Sequence, residues 1–281
     1  MLTKVTTVLC SCAQKSGPGR VARLATLADY WGFESWLKDA SVALSLSARA
    51  SKILVDMERT GICVMEDFWS SEQCAAARAE VDRVIAEYPQ YVNRNAKADT
   101  RVYGANNASE LIARFSDDKD LLAVASAYNH EETITAFTLA ARLPASEGNQ
   151  GSGEGWHRDA FLRQFKAIIY LSDVDLGNGP LQMIRDSHQR TRVLADMKTG
   201  GLRYMQYRLD DQDVARILAN EPQRLVTYTA RAGTVILLDT SAVHRGMPIK
   251  TGTRYALTNY YFPKNRVDPS MYEKFDVLPA A

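Results

Sequence analysis

From about residue 133 onward the chain is a succession of short β-prone runs with turn residues between them, and this pattern limits the possible folds most. The runs cover residues 134–143, 155–159, 167–171, 180–184, 225–229, 234–238, 242–247 and 254–262. Asn178-Gly179-Pro180 is a strong turn signal between two of them. About eight strands with mostly short connections predict an all-β sandwich or jelly roll. The long exception is an insertion at about 189–223, where a short helix is expected near 211–219. A long insertion on a β scaffold is often a lid or a binding element.

The first half is patterned differently. Leu24, Leu27, Ala28, Trp31, Trp36 and Leu37 recur at helical spacings within 21–57, with Gly32 as an interruption and Gly61 as the end. Residues 62–65 are a short strand candidate. Ser70 or Ser71 caps a helix that runs to about Tyr88, and a further helix covers 117–128, opening with Asp117 and Asp118. The expected organisation is an N-terminal helical extension over 1–50 and a mainly β domain with flanking helices over 51–281.

Composition narrows the function. With 46% hydrophobic and 24% charged residues in 281, the chain is globular rather than disordered. A formal net charge of +1 provides no global field for nucleic acid or a membrane surface. No apolar run approaches the ~18 residues of a membrane span. Cys10, Cys12, Cys63 and Cys74 are too few and scattered for a disulfide framework, and the Cys10-x-Cys12 spacing is not that of a zinc knuckle. Leu9-Cys10-Ser11-Cys12 loosely resembles a lipoprotein cleavage box, but the preceding apolar stretch is shorter than the ~7–15 residues of a signal core. A cytoplasmic location is expected.

The chemistry is concentrated in few residues. Of four histidines, His157 begins a His-x-Asp sequence inside a strand candidate, so His157 and Asp159 project to one face. His244, on a later strand, can bring a second imidazole from another wall. Two histidines and one carboxylate on one face form the facial triad of non-haem Fe(II) oxygenases, which leaves three metal positions open. Arg254 follows in the next strand candidate, where a buried guanidinium can pair fork-to-fork with a carboxylate such as the distal one of 2-oxoglutarate. Thr258 shares the strand face of Arg254 and can donate to the same carboxylate.

These segments resemble the phytanoyl-CoA dioxygenase family of Fe(II)- and 2-oxoglutarate-dependent oxygenases. The resemblance rests on Gly155-Trp156-His157-Arg158-Asp159, Asn178-Gly179-Pro180-Leu181 with Asp186-Ser187-His188, Val243-His244-Arg245-Gly246 and Gly252-Thr253-Arg254-Tyr255. Thr60-Gly61-Ile62-Cys63-Val64 followed by a helix from Ser70 resembles the family's N-terminal entry. It covers roughly 52–265, and Arg185-Asp186 departs from the usual Pro-Gly. The resemblance implies a double-stranded β-helix of the jelly-roll, cupin-like type. It implies Fe(II) held by His157, Asp159 and His244, with 2-oxoglutarate on Arg254 and O2 as oxidant. The implied reaction is hydroxylation of a small substrate with release of succinate and CO2. It also places Arg101 where the family can carry another basic residue near the co-substrate. A carboxylate at Asp159 implies hydroxylation rather than halogenation, since related halogenases carry Gly or Ala there.

Several readings stay open on sequence. His157 and His244 can be polar residues at a barrel rim, and Arg254 can pair with an internal carboxylate. His188 is read as turn-stabilising, His130 as a loop residue and Trp156 as packing. Residues 185–208 are locally basic, through Arg185, Arg190, Arg192, Lys198, Arg203 and Arg208, with Tyr204 and Tyr207 interleaved. They are either a solvated insertion or a lid that recruits an anionic substrate. Oxygenases acting on nucleic-acid bases carry a second Arg soon after the co-substrate Arg, and none follows Arg254, so a nucleic-acid substrate is not expected. A cupin-like metal-dependent isomerase or hydrolase, and a non-catalytic binding protein, are the alternatives.

Overall fold

A computed structural model describes residues 46–94, 99–203, 205–275 and 278–279. The helical reading over 21–45, the cysteines at 10 and 12 and Tyr204 lie outside them. The helices are α1 (Ala48–Thr60), α2 (Ser71–Glu87), α3 (Glu110–Ser116), α4 (Lys119–Asn129), α5 (Arg190–Gly200), α6 (Asp211–Leu218) and α7 (Pro269–Phe275). The strands are β1 (Ile62–Met65), β2 (Val92–Arg94), β3 (Thr100–Val102), β4 (Thr133–Pro144), β5 (Phe165–Tyr170), β6 (Leu181–Ile184), β7 (Leu225–Tyr228), β8 (Val235–Asp239), β9 (His244–Gly246) and β10 (Thr253–Pro263). They form a seven-stranded sheet in the order β1-β8-β5-β10-β4-β3-β2 and a three-stranded sheet in the order β7-β6-β9. This is the expected jelly roll with flanking helices, as two facing sheets and not a closed barrel.

Strand alternation decides what each face of the large sheet covers. Phe165, Ala167 and Ile169 on β5, Val235 and Leu237 on β8, and Leu257 and Tyr261 on β10 pack with residues of α1 to α4 in the main core. The intervening residues, among them Tyr170, Ile236, Leu238 and Ala256, meet Leu181 and Met183 of the small sheet in a second core. Both faces are covered, so the strands read as nearly continuous apolar runs. Polar residues on the inner face therefore stand out, and Lys166, Arg254 and Thr258 are among them.

Local signals set the helix ends. Ser70 accepts from Gln73 N while the Gln73 side chain accepts from Ser70 N, so Ser70, not Ser71, caps α2. Gly61 ends α1 at φ 74°, and a Cβ there would lie 2.5 Å from the His188 ring, so this left-handed turn requires glycine. His188 is thus a packing partner of the α1 terminus. His130 is the left-handed cap of α4 rather than a loop residue. A boundary at residue 50 falls inside α1, whose Ala50, Ile53 and Met57 belong to the main core.

Two local expectations need correction, and one pairing is new. Residues 155–159 form no strand; His157 makes single bridges to His244 and to Arg208. Gly153 and Gly155, with φ of 83° and 88°, interrupt extended backbone just before His157 and disfavour a longer ladder. The insertion holds two helices, α5 and α6, where one was expected. The edge pairing of β2 with β3 was not anticipated.

The insertion is clamped at its base. Arg224 donates to both oxygens of Asp196 on α5 at 2.7 and 2.9 Å, and both side chains are buried. Arg224→Ala strands the Asp196 charge and should cost about 3–5 kcal/mol. Urea unfolding should show this as a lower midpoint, and Arg224→Lys should recover only part of it because the two-pronged contact is lost.

Candidate active site

His157 and His244 meet through backbone pairing. Each N–H donates to the other's carbonyl at 2.9 Å, which sets the residues directly opposite with side chains on one face. The ring centroids are 4.4 Å apart. His157 Nδ1 lies 2.8 Å from Gly155 O and His244 Nδ1 lies 2.9 Å from Ala242 O. A carbonyl only accepts, so each Nδ1 carries the proton and each Nε2 presents a lone pair. Asp159 N donates to Thr240 O, which extends the pairing and turns its carboxylate to the same point. Asp159 Oδ1 is 3.6 Å from His157 Nε2, and Oδ2 is 3.7 Å from His244 Nε2. The three donors lie within 4.8 Å of one another, a spacing that fits a divalent metal.

Electrostatics keep these groups in their ligating forms. Burial, then the neighbouring His244, push His157 down to about 3, with Asp159 only partly opposing. Burial likewise lowers His244. Desolvation works against the charge on Asp159, but Lys166 and the two histidines outweigh it and hold the carboxyl below the usual range. Two neutral imidazoles and an ionised carboxylate are what a metal needs.

Arg254 shares the cavity. It stands opposite Leu143 on β4, is 5% exposed, and its Nε is buried with no hydrogen-bond partner. No described carboxylate lies within ion-pair distance, so the internal partner left open on sequence is absent among the described residues. Burial lowers its proton affinity, and Tyr170 and Asp99 only partly offset this. A buried guanidinium without a counter-ion is costly and suits an incoming anion. Thr258, four residues along the same face, lines the same cavity. Arg101 also lines it but has a partner, Asp99, at 2.6 Å.

The cavity encloses about 210 Å³. Its wall includes Arg208 of the basic insertion, and also Lys166, Tyr170 and Tyr260, which sequence reasoning passed over. A lysine inside an otherwise apolar strand is unusual, but the strand is buried on both faces and the sequence does not show which face it takes. His188 is not in this wall; it lies in a separate cleft with Glu58 and Arg163. Trp156 packs against the insertion core, and its Nε1 donates to Asp211.

Residues 57–255 match the phytanoyl-CoA dioxygenase (PhyH) family. The chain belongs to that family. An ectoine dioxygenase of Bordetella parapertussis is 25% identical over 206 residues, and the match spans 66% of this chain and 66% of that relative's length. EctD from S. alaskensis, solved with 2-oxoglutarate and 5-hydroxyectoine, superimposes with a TM-score of 0.61 at 19% identity, covering 86% of this chain and 88% of EctD. The epimerase SnoN, solved with Fe3+, alpha ketoglutarate and nogalamycin RO, gives 0.58 at 17% identity, covering 83% of this chain and 91% of SnoN. At these identities the two structures establish the fold. Among the described residues, no helix is long and apolar enough to cross a membrane.

The lowered His157 has a consequence for stability. Below its unfolded value of about 6.5 the unfolded chain binds a proton that the folded chain refuses until about 3. Stability therefore falls as pH falls through this window, by about 1.4 kcal/mol per unit. Between pH 6.5 and 5 the metal-free protein should lose about 2 kcal/mol more than His157→Gln. Urea unfolding of both proteins at the two pH values measures the difference.

Proposed function

We propose that the chain is an Fe(II)- and 2-oxoglutarate-dependent dioxygenase that hydroxylates a C–H bond of a small substrate and releases succinate and CO2. The observation that carries this reading is the meeting, in one cavity, of two Nε2-presenting histidines, one carboxylate and a buried guanidinium with no counter-ion among the described residues. His157, Asp159 and His244 would hold the metal, and Arg254 would receive the distal carboxylate of 2-oxoglutarate, with Thr258 and Arg101 beside it. When bound, iron and 2-oxoglutarate supply the oxidising chemistry, with O2 as oxidant.

The protein's share is placement. The Nδ1–H bonds to Gly155 and Ala242 prevent either imidazole from rotating away. Arg254 recognises a planar anion by its fork. The apolar walls from Leu139, Leu143 and Ile168 exclude water around the reacting groups. SnoN is described as an epimerase and EctD was solved with the hydroxylated compound 5-hydroxyectoine, so a shared fold does not select the outcome; Asp159 supports hydroxylation over halogenation.

Size and charge bear on the substrate. The cavity is smaller than the ~300–1,000 Å³ of drug-sized sites and must also admit the co-substrate, which favours a small molecule. Arg208, from the basic insertion, is exposed at its rim and donates to the Gly153 carbonyl. That position supports recruitment of an anionic substrate. The few scattered cysteines support a reducing, cytoplasmic setting.

His157→Ala, Asp159→Ala and His244→Ala should each abolish substrate-coupled succinate release, while His188→Ala should retain it. For Arg254→Ala, loss of one partner of a buried pair at about 3–5 kcal/mol corresponds to 2-oxoglutarate binding weaker by roughly two to nearly four orders of magnitude. Arg254→Lys should fall in between. Anaerobic titration of the Fe(II)·2-oxoglutarate charge-transfer band measures both, and equal affinities in all proteins would remove Arg254 from the site. A colourless protein that takes zinc tightly would instead favour a cupin-like hydrolase or isomerase.

A substrate screen scored by succinate release tests the anionic reading. With the best substrate found, Arg208→Glu should raise KM at low salt, and the effect should shrink as salt screens the rim charge over ~8–10 Å. An unchanged KM at low salt would leave the insertion without a recruiting role.

A further inference from the structure

Lys166 is a charge that the fold does not require. It lies on the inner face of β5, in phase with Ile168 and Tyr170, and is 6% exposed. Its ammonium donates to Asp159 Oδ2 at 2.7 Å and sits 3.9 Å above the ring of Tyr260, its cross-strand neighbour on β10. An apolar side chain would fill this strand position without the desolvation penalty of a buried ammonium. The contact that offsets the penalty is with the carboxylate of the histidine-carboxylate cluster, so the lysine is matched to Asp159 and not to the sheet.

We propose that Lys166 is a positioning residue that occupies Oδ2 of Asp159, so that the carboxylate offers a metal Oδ1 alone and cannot chelate through both oxygens. This rests on the metal-site reading above. Carboxylates bind metals through one oxygen or two. At an octahedral metal, three protein donors and a two-point co-substrate leave one position. A chelating carboxylate would fill it or displace part of the co-substrate. Lys166 removes the second oxygen from competition. The same contact places a fixed positive charge beside the metal, so it weakens metal binding taken alone while it preserves room for 2-oxoglutarate.

The two affinities should therefore move in opposite directions when the lysine is lost. The test uses the full chain stripped of metal, with Mn(II) as the probe. Calorimetry follows Mn(II) binding, then 2-oxoglutarate binding to the Mn(II)-loaded protein. Lys166→Met should bind Mn(II) at least about tenfold more tightly and 2-oxoglutarate about tenfold less tightly, on the scale of contacts made to metal ligands. Lys166→Gln keeps a donor for Oδ2 but no charge. It should bind Mn(II) more tightly with the wild-type affinity for 2-oxoglutarate. A fall in both affinities in either variant would make Lys166 ordinary structural support and overturn the proposal, as would no change in either. If Lys166→Met fails to fold by thermal melt, the Gln variant alone decides. Failure of wild type to bind Mn(II), or binding indifferent to His157→Ala, would overturn the metal site itself, an outcome distinct from a bound metal with no divergence in the variants.

Discussion

The reciprocal pair of backbone hydrogen bonds between His157 and His244 is the constraint on which the site depends. It joins two distant stretches of chain at one point and fixes the register that sets both imidazoles on one face. Asp159 inherits its direction from the next bond in the series, to Thr240. The carbonyls of Gly155 and Ala242, each two residues before its histidine, then select the tautomer. The backbone thus supplies position, orientation and protonation state. Gly153 is part of this device, because a Cβ there would collide with the His157 ring, and its φ of 83° disfavours any other residue.

The cavity is electrostatically uneven. Arg101, Lys166, Arg208 and Arg254 line it with one carboxylate, Asp159, while Asp99 partners Arg101. Arg101 and Lys166 have carboxylate partners, whereas Arg254 has none among the described residues. A surrounding of apolar strands makes such an imbalance expensive, and an anionic ligand relieves it. Strong secondary-structure packing on the opposite face of the large sheet, from α1 to α4, provides the stability that tolerates this strain.

Much of the architecture was legible because turn residues punctuate the strands and because capping residues such as Ser70 act locally. The grouping of His157 with Asp159 was legible from two-residue spacing, although the stretch carrying them is a bridge rather than a strand. A second imidazole from another wall was legible in His244, but no local rule predicts that it pairs directly with His157 through the backbone. Lys166 was missed because a strand buried on both faces hides which positions point to the site; only the register with Tyr260 reveals it. Helix α5 was missed because its polar composition leaves few apolar positions such as Val193 and Met197 to mark a period. The pairing of β2 with β3 is too short to leave a pattern.

The place of β10 in the sheet bears on how the molecule is assembled. It is the last strand in chain order among those described, yet it lies between β4 and β5 and pairs with both. Until it arrives, those two strands present open edges to each other and to any other extended chain. Their closure joins segments far apart in sequence, which is the slow kind of step in β-rich folding. During synthesis, the stretches that carry His157, Asp159 and His244 can be complete while the wall that carries Arg254 is still missing. The buried guanidinium of Arg254 therefore arrives with the strand that seals the sheet, so closing the sheet and completing the cavity are a single event.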